Sequence, residues 1–301
     1  MLRPFALYRP STLPELADLL AEHGHEAALY AGGTELLLLL KERLLRVQSL
    51  IDVKHVKGLD EVTVDHGSVV IGATVRHRAA ERSSLLRERC PMVARVAGHV
   101  ANVRVRHVGT VGGNLAFADP HSDLATLFLA FDGVVSLWSR GGERQVPLAD
   151  FVRGPYETAR QDDEVVTAVR LHPWPAGTVG AYVKFGVYER PTLGVAVAAT
   201  FDASGRVSAV RLAVGCVGPR PRRFPEVERL AIGASTVDLT GAAEALAAAT
   251  AGAVETMDDL HGSADYKREM TRVFVRRAVA IVAARARGQD THERYAHTVV
   301  V

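Results

Sequence analysis

Two short glycine-bearing stretches hold the residues of this 301-residue chain best suited to gripping an anion. The first, "AGGTEL", is Ala31, Gly32, Gly33, Thr34, Glu35 and Leu36; the second, "TVGGN", is Thr110, Val111, Gly112, Gly113 and Asn114. Glycine admits left-handed backbone and lets another molecule come close to the main chain. Successive N–H groups in such a turn converge on an anion. Each stretch opens toward an expected helix, whose N-terminus adds partial positive charge. A phosphate or diphosphate suits that chemistry. The spacing matches neither G-x-G-x-x-G nor the P-loop pattern. Glycines between a strand and a helix are also ordinary turn residues. The residues alone therefore leave two readings open: plain turns, or an anion or nucleotide site.

Little else in the chain points to chemistry. The twelve histidines are scattered, and none pairs with another and a carboxylate at helix spacing. His121, beside the second stretch, suits either a cofactor contact or a structural role. Asp162 and Asp163 fall in a polar turn. There is no G-x-S-x-G elbow and no cysteine–histidine nucleophile motif. Two cysteines, Cys90 and Cys216, exclude a disulfide framework and any four-cysteine cluster or zinc site supplied by this chain. Scarce cysteine fits a reducing compartment, and the N-terminus lacks a signal-peptide core, so a cytoplasmic location is expected. The apolar run Leu36–Leu40 is far too short for a membrane span. Apolar residues make up 48%, charged residues 23%, and the formal charge is +2, which gives no whole-chain argument for nucleic acid.

Several elements must position the two stretches. Thr12 and Glu15 have capping-box spacing, Pro14 suits a first helical turn, and Gly24 suits the exit. Ala27 to Tyr30 reads as a short buried strand. Thr34 is placed to cap a helix running to about Leu45, and "SLIDVKHV" reads as a second strand, parallel to the first. Residues 61–75 and 134–148 read as hairpins, 74–101 as helical with a break near Pro91, and 163–171 as a strand. "HPWPAG" (172–177) marks a domain boundary. Three strands follow, then an alanine-rich helix (242–251) and a long helix (265–287). That helix puts Met270, Val273, Phe274, Ala278 and Ile281 on one stripe. Lys267, Arg268, Arg272, Arg276 and Arg285 are read as its solvated basic side. The tail "HERYAHTVVV" reads as loosely held. The class is α+β. The expected domains are 1–175 (subdivided 1–56 and 57–175) and 176–288, followed by a 289–301 tail.

"AGGTELL", then "TVGGNLAFADPHSDL" about eighty residues later, resembles the FAD-binding medium subunit of molybdenum hydroxylases, the carbon monoxide dehydrogenase and xanthine dehydrogenase family. Its pattern is a short A-G-G-[TH]-x-L loop, then T-[IV]-G-G-N leading into D-P-x-x-D-L. "SADYKREMTRVFVRRAV" resembles that family's closing helix, so the likeness covers nearly the whole chain. It implies a two-part FAD-binding domain of the vanillyl-alcohol-oxidase-like (PCMH) type, followed by a smaller α+β domain with an antiparallel sheet. It implies that Ala31 to Leu36 cradle the FAD pyrophosphate and that Thr110 to Asn114 meet it from the other side. Ala116 and Phe117 would lie near the flavin, Ser122 and Asp123 would accept from sugar or ribityl hydroxyls, and Lys184 of "YVKFG" would stand near the ring. The sequence departs from the pattern at Glu35, a carboxylate in the phosphate loop, and at Pro191-Thr192. No residue is singled out for covalent attachment, so FAD is expected to be non-covalent.

The resemblance further implies an electron-transfer subunit with a large molybdenum-binding partner and a small 2Fe–2S partner, as a dimer of heterotrimers. The molybdenum cofactor and the clusters would sit only on those partners. Missing cluster cysteines fit this division of labour. Two other readings stand beside it: a self-contained FAD oxidase with a substrate pocket in its C-terminal domain, and an FAD-binding module without redox partners.

Overall fold

The computed structural model describes residues 2–187, 189–289 and 295–301. Three sheets organise it. The first is parallel, with Ser49–Asp52 between Ala6–Tyr8 and Ala27–Tyr30. The expected parallel pair is present, with Ala6–Tyr8 as an additional member. Ala27–Tyr30 is half-buried rather than buried, and "SLIDVKHV" is strand only to Asp52 before a tight 3₁₀ turn, Val53–His55. Helix Leu13–His23 packs Leu16 and Leu20 onto Ile51 and Val53. Thr12 accepts from the Glu15 N–H, but Glu15 reaches back to the Ser11 N–H at 2.7 Å, one residue before the cap.

The second sheet is antiparallel, in the order Val62–Asp65, Ser68–Gly72, Val165–Leu171, Val134–Ser139, Gly142–Pro147. Both hairpins read from the sequence belong to it. Helices His77–Arg82, Ser84–Arg89 and Pro91–Ala97 cover it. The break falls at Pro91, which opens the third helix because a first-turn proline gives up no needed N–H.

The third sheet is antiparallel, with Leu193–Phe201 between Thr178–Phe185 and Val207–Gly215. Leu193–Phe201 is without a polar side chain as far as Ala199 because both its faces are covered. Ala196 belongs to the core of the second sheet, while Val195 and Val197 belong to a separate core under helices Thr236–Ala253 and Ala264–Ala286. Alternation along each strand thus welds the C-terminal domain to the domain before it.

Two expectations are corrected here. The end of the tail is a strand: Thr298–Val300 pairs with Thr178–Phe185, and Val301 exchanges backbone hydrogen bonds with Tyr182 at 2.9 and 3.0 Å. The earlier part of that tail, residues 290–294, lies outside the described residues. Lys267 is not on a solvated face. It is fully buried and bonds Asp259 at 2.5 Å, and that carboxylate lies in a loop sequence periodicity could not place. Among the described residues, no helix is long and apolar enough to cross a membrane.

Candidate functional site

The two glycine stretches, 80 residues apart in sequence, touch. A Cβ on Gly32 would stand 2.3 Å from the Val108 carbonyl oxygen and 2.7 Å from the Gly109 Cα. Only glycine allows that approach, so the first turn lies directly on the entry to the second. Gly33 has φ +70°, the left-handed region. Lys54 fixes the start of the turn: its ammonium bonds the Ala31 carbonyl at 2.9 Å and Asp52 at 2.6 Å, and lies 3.8 Å from the Tyr30 ring centroid. Among the described residues, the N–H groups of Gly32, Gly33, Thr34 and Glu35 meet no backbone acceptor. These unpaired donors are the chemistry a diphosphate needs.

The helix expected from Thr34 to about Leu45 is shorter, Leu36–Lys41, and Thr34 does not cap it. Glu35 occupies the cap position without a capping bond. Its carboxylate instead takes both oxygens to Arg190, at 2.8 and 2.9 Å.

The second stretch is helical. Thr110 caps Val111–Phe117 by accepting from Gly113 at 3.1 Å. The Val111, Gly112 and Asn114 N–H groups bond the Val75, Ala73 and Thr110 carbonyls. Four of its N–H groups are therefore held within the protein, unlike those of the first turn. Val111, Gly112 and Leu115 are buried, whereas Gly113 is exposed and Asn114, Ala116 and Phe117 are half-buried. Gly113, Ala116 and Phe117, three and four residues apart, form one open face of the helix. Tyr156, at φ +61° on a tight hairpin and 59% exposed, meets Phe117 edge-on at 5.1 Å.

Ser122 and Asp123 stand behind this face. The Ser122 hydroxyl donates to Asn114 at 2.7 Å and accepts from the Ala125 N–H. Asp123 is buried and accepts from Tyr182 at 2.9 Å and from Lys184 at 2.7 Å. Lys184, also buried, donates in addition to the His99 carbonyl at 3.1 Å. Burial pushes the Asp123 carboxyl up, and the Lys184 ammonium and the hydrogen bonds oppose that push. His121 touches Asp119 at 3.2 Å and Asp259 at 3.0 Å, one carboxylate on each ring nitrogen, so its role is structural. Sequence pattern does not point to Lys54, Tyr156 or Arg190. Glu35 was the signal for Arg190, since a carboxylate in a phosphate loop needs a counter-ion.

His77 supports the second stretch from below, and its N–H bonds the Gly109 carbonyl at 3.0 Å. Burial, with a smaller contribution from Arg106, lowers its pKa to about 4. Below the ordinary 6.5 the unfolded chain takes up a proton that the folded chain refuses. Stability therefore falls as pH drops from about 6.5 toward 4, by about 3 kcal/mol over the whole window. Urea unfolding at pH 7 and 4.5 should show this acid loss shrinking in His77→Phe. An equal loss in both proteins would remove His77 as its cause.

Comparison with known proteins agrees with this geometry. The model for the FAD binding domain in molybdopterin dehydrogenase matches residues 3–174, and that for the CO dehydrogenase flavoprotein C-terminal domain matches 188–282. The carbon monoxide dehydrogenase medium chain of Hydrogenophaga pseudoflava is 32% identical over 283 residues, covering 93% of this chain and 98% of that one. The 6-hydroxypseudooxynicotine dehydrogenase complex subunit alpha of Paenarthrobacter nicotinovorans is 32% identical over 276 residues, covering 89% and 91%. Among solved structures, carbon monoxide dehydrogenase from Hydrogenophaga pseudoflava lacking the Mo-pyranopterin moiety superposes with a TM-score of 0.89 at 32% identity, covering 95% of this chain and 99% of that one. Two touching glycine segments, unpaired donors in the first and an antiparallel C-terminal domain are thus joined in one fold. The chain belongs to the family of FAD-binding medium subunits of molybdenum-containing dehydrogenases, the carbon monoxide dehydrogenase and xanthine dehydrogenase family.

Proposed function

We propose that this chain carries non-covalent FAD and passes electrons from 2Fe–2S clusters of a small partner subunit to a terminal acceptor. A large molybdenum subunit would oxidise the substrate, and the assembly would be a dimer of heterotrimers in the cytoplasm. The observation that carries this reading is the run of N–H groups from Gly32 to Glu35 that meet no backbone acceptor among the described residues, in a turn held against Val108 and Gly109 at the entry to the second stretch. Bound FAD supplies redox chemistry that accepts electrons singly and releases them in pairs.

This chain's own residues bind and orient. The Gly32–Glu35 donors would hold the diphosphate, and Gly113, Ala116 and Phe117 would offer a small, apolar surface to the rest of the cofactor. Asn114, Ser122, Asp123 and Lys184 would brace that surface from behind. Both cysteines are buried and free, which supports a reducing compartment. The C-terminal domain has a cavity of about 370 Å³ lined by Thr240, Glu244, Arg276 and Arg277 among others. It shares no residue with the cofactor segments, so it offers no support to the oxidase reading.

The purified chain should be yellow and should release intact FAD on acid precipitation, about one per chain. A colourless chain that takes up no added FAD would overturn the proposal. Flavin left on the precipitated protein would overturn its non-covalent part.

A further inference from the structure

We propose that Arg190 is the counter-ion that allows a carboxylate to stand in the diphosphate turn, and that it sets FAD affinity through Glu35 rather than by touching the cofactor. This rests on the FAD reading above. Glu35 lies in the turn whose N–H groups are unpaired, where a free carboxylate would repel a diphosphate. One Arg190 nitrogen takes both Glu35 oxygens, at 2.8 and 2.9 Å, and the other takes Asp119 at 3.1 Å.

Arg190 is itself fixed from the far side. Asp119 accepts from the His121 backbone N–H at 2.9 Å and lies against its ring at 3.2 Å; the opposite ring nitrogen lies 3.0 Å from Asp259, which holds the fully buried Lys267. Neighbouring Glu189 is tied to Asn102 at 3.0 Å. A chain of polar contacts, Lys267 to Asp259 to His121 to Asp119 to Arg190 to Glu35, thus runs from the helix Ala264–Ala286 of the C-terminal domain to the first turn. That anchorage keeps the guanidinium on Glu35 and makes Arg190 a positioning residue.

The test is a titration of the flavin-stripped full-length chain with FAD at low and high salt, with apo-protein melting recorded alongside. The proteins are wild type, Arg190→Gln, Arg190→Lys, Glu35→Gln and the Glu35→Gln/Arg190→Gln double variant. Arg190→Gln should weaken FAD binding about threefold to tenfold at low salt, because it leaves Glu35 uncompensated. Arg190→Lys should fall between it and wild type. High salt should shrink the loss. In the Glu35→Gln background the same arginine substitution should change affinity less than about twofold, since no carboxylate remains in the turn itself and Asp119 keeps His121 as a partner.

Two results would overturn the proposal and leave the FAD reading standing. One is wild-type affinity in Arg190→Gln. The other is an equal loss in both backgrounds, which would put the guanidinium on FAD itself or reduce it to a structural tie. A wild-type chain that binds no FAD would sink both.

Discussion

Gly32→Ala is expected to yield a chain that neither retains FAD nor keeps its full stability. The added Cβ would be forced to 2.3 Å from a backbone oxygen and 2.7 Å from a backbone carbon. No side chain can rotate away to relieve this, because both obstacles are main chain. The first turn must lift off Val108 and Gly109, at a cost of about 3 kcal/mol or more. Lifting it moves the donors at Gly32–Glu35. Losing two phosphate hydrogen bonds, at about 1.5–3 kcal/mol each, weakens FAD binding by roughly two to four orders of magnitude. Gly241→Ala is the control. Gly241 lies exposed in the helix Thr236–Ala253 with open space where its Cβ would go. There the same chemical change should stabilise by roughly 0.5–1 kcal/mol. Flavin content and urea unfolding of the two variants measure the contrast. A Gly32→Ala protein that holds FAD like wild type would show that the turns need not touch.

Asp123→Ala should be the most damaging side-chain truncation behind the site, at about 3–5 kcal/mol. It leaves the buried Lys184 ammonium and the Tyr182 hydroxyl without their partner. Lys184→Met should also destabilise, because Asp123 would keep only Tyr182. The double variant Asp123→Leu/Lys184→Met removes both charges and fills the space with apolar atoms. It should be more stable than the sum of the single losses implies, and more stable than Asp123→Ala alone. Chemical unfolding of the four proteins measures the coupling. Additive losses would show that the two groups are not a unit.

Local residue chemistry made much of the fold legible. Gly24 and Pro91 mark helix ends because their backbone requirements are intrinsic. The second and third sheets follow from alternation and from turn residues. The errors arise where distant parts decide. Thr34 has the right type for a cap, but Glu35 takes that position and turns to Arg190, more than 150 residues on. Lys267 looks solvated by helical period, yet Asp259 folds over it. The second glycine stretch reads like a loop because glycine is a poor helix former; the Thr110 cap and bonds to Ala73 and Val75 make it a helical turn.

At the site, the sequence shows which segments carry it. It does not show which groups stay open and which are tied up within the protein. Whether an N–H is free depends on partners elsewhere in the chain: those of Val111, Gly112 and Asn114 are bonded, and those of Gly32 to Glu35 lack a backbone acceptor among the described residues. Asp123 and Lys184 likewise show their pairing only once the third sheet lies against the core of the second sheet.

On the proposed function, this chain transfers electrons and performs no substrate chemistry. The direct measurement is visible flavin absorbance, followed anaerobically, with the FAD-loaded chain alone and then with its 2Fe–2S and molybdenum partners. Dithionite should bleach the flavin of the lone chain, because that reduction needs only access to the ring. Substrates of molybdenum-containing dehydrogenases should leave the lone chain yellow and bleach it once both partners are present. Rapid bleaching of the lone chain by such a substrate would contradict the account and make this protein a self-contained oxidase.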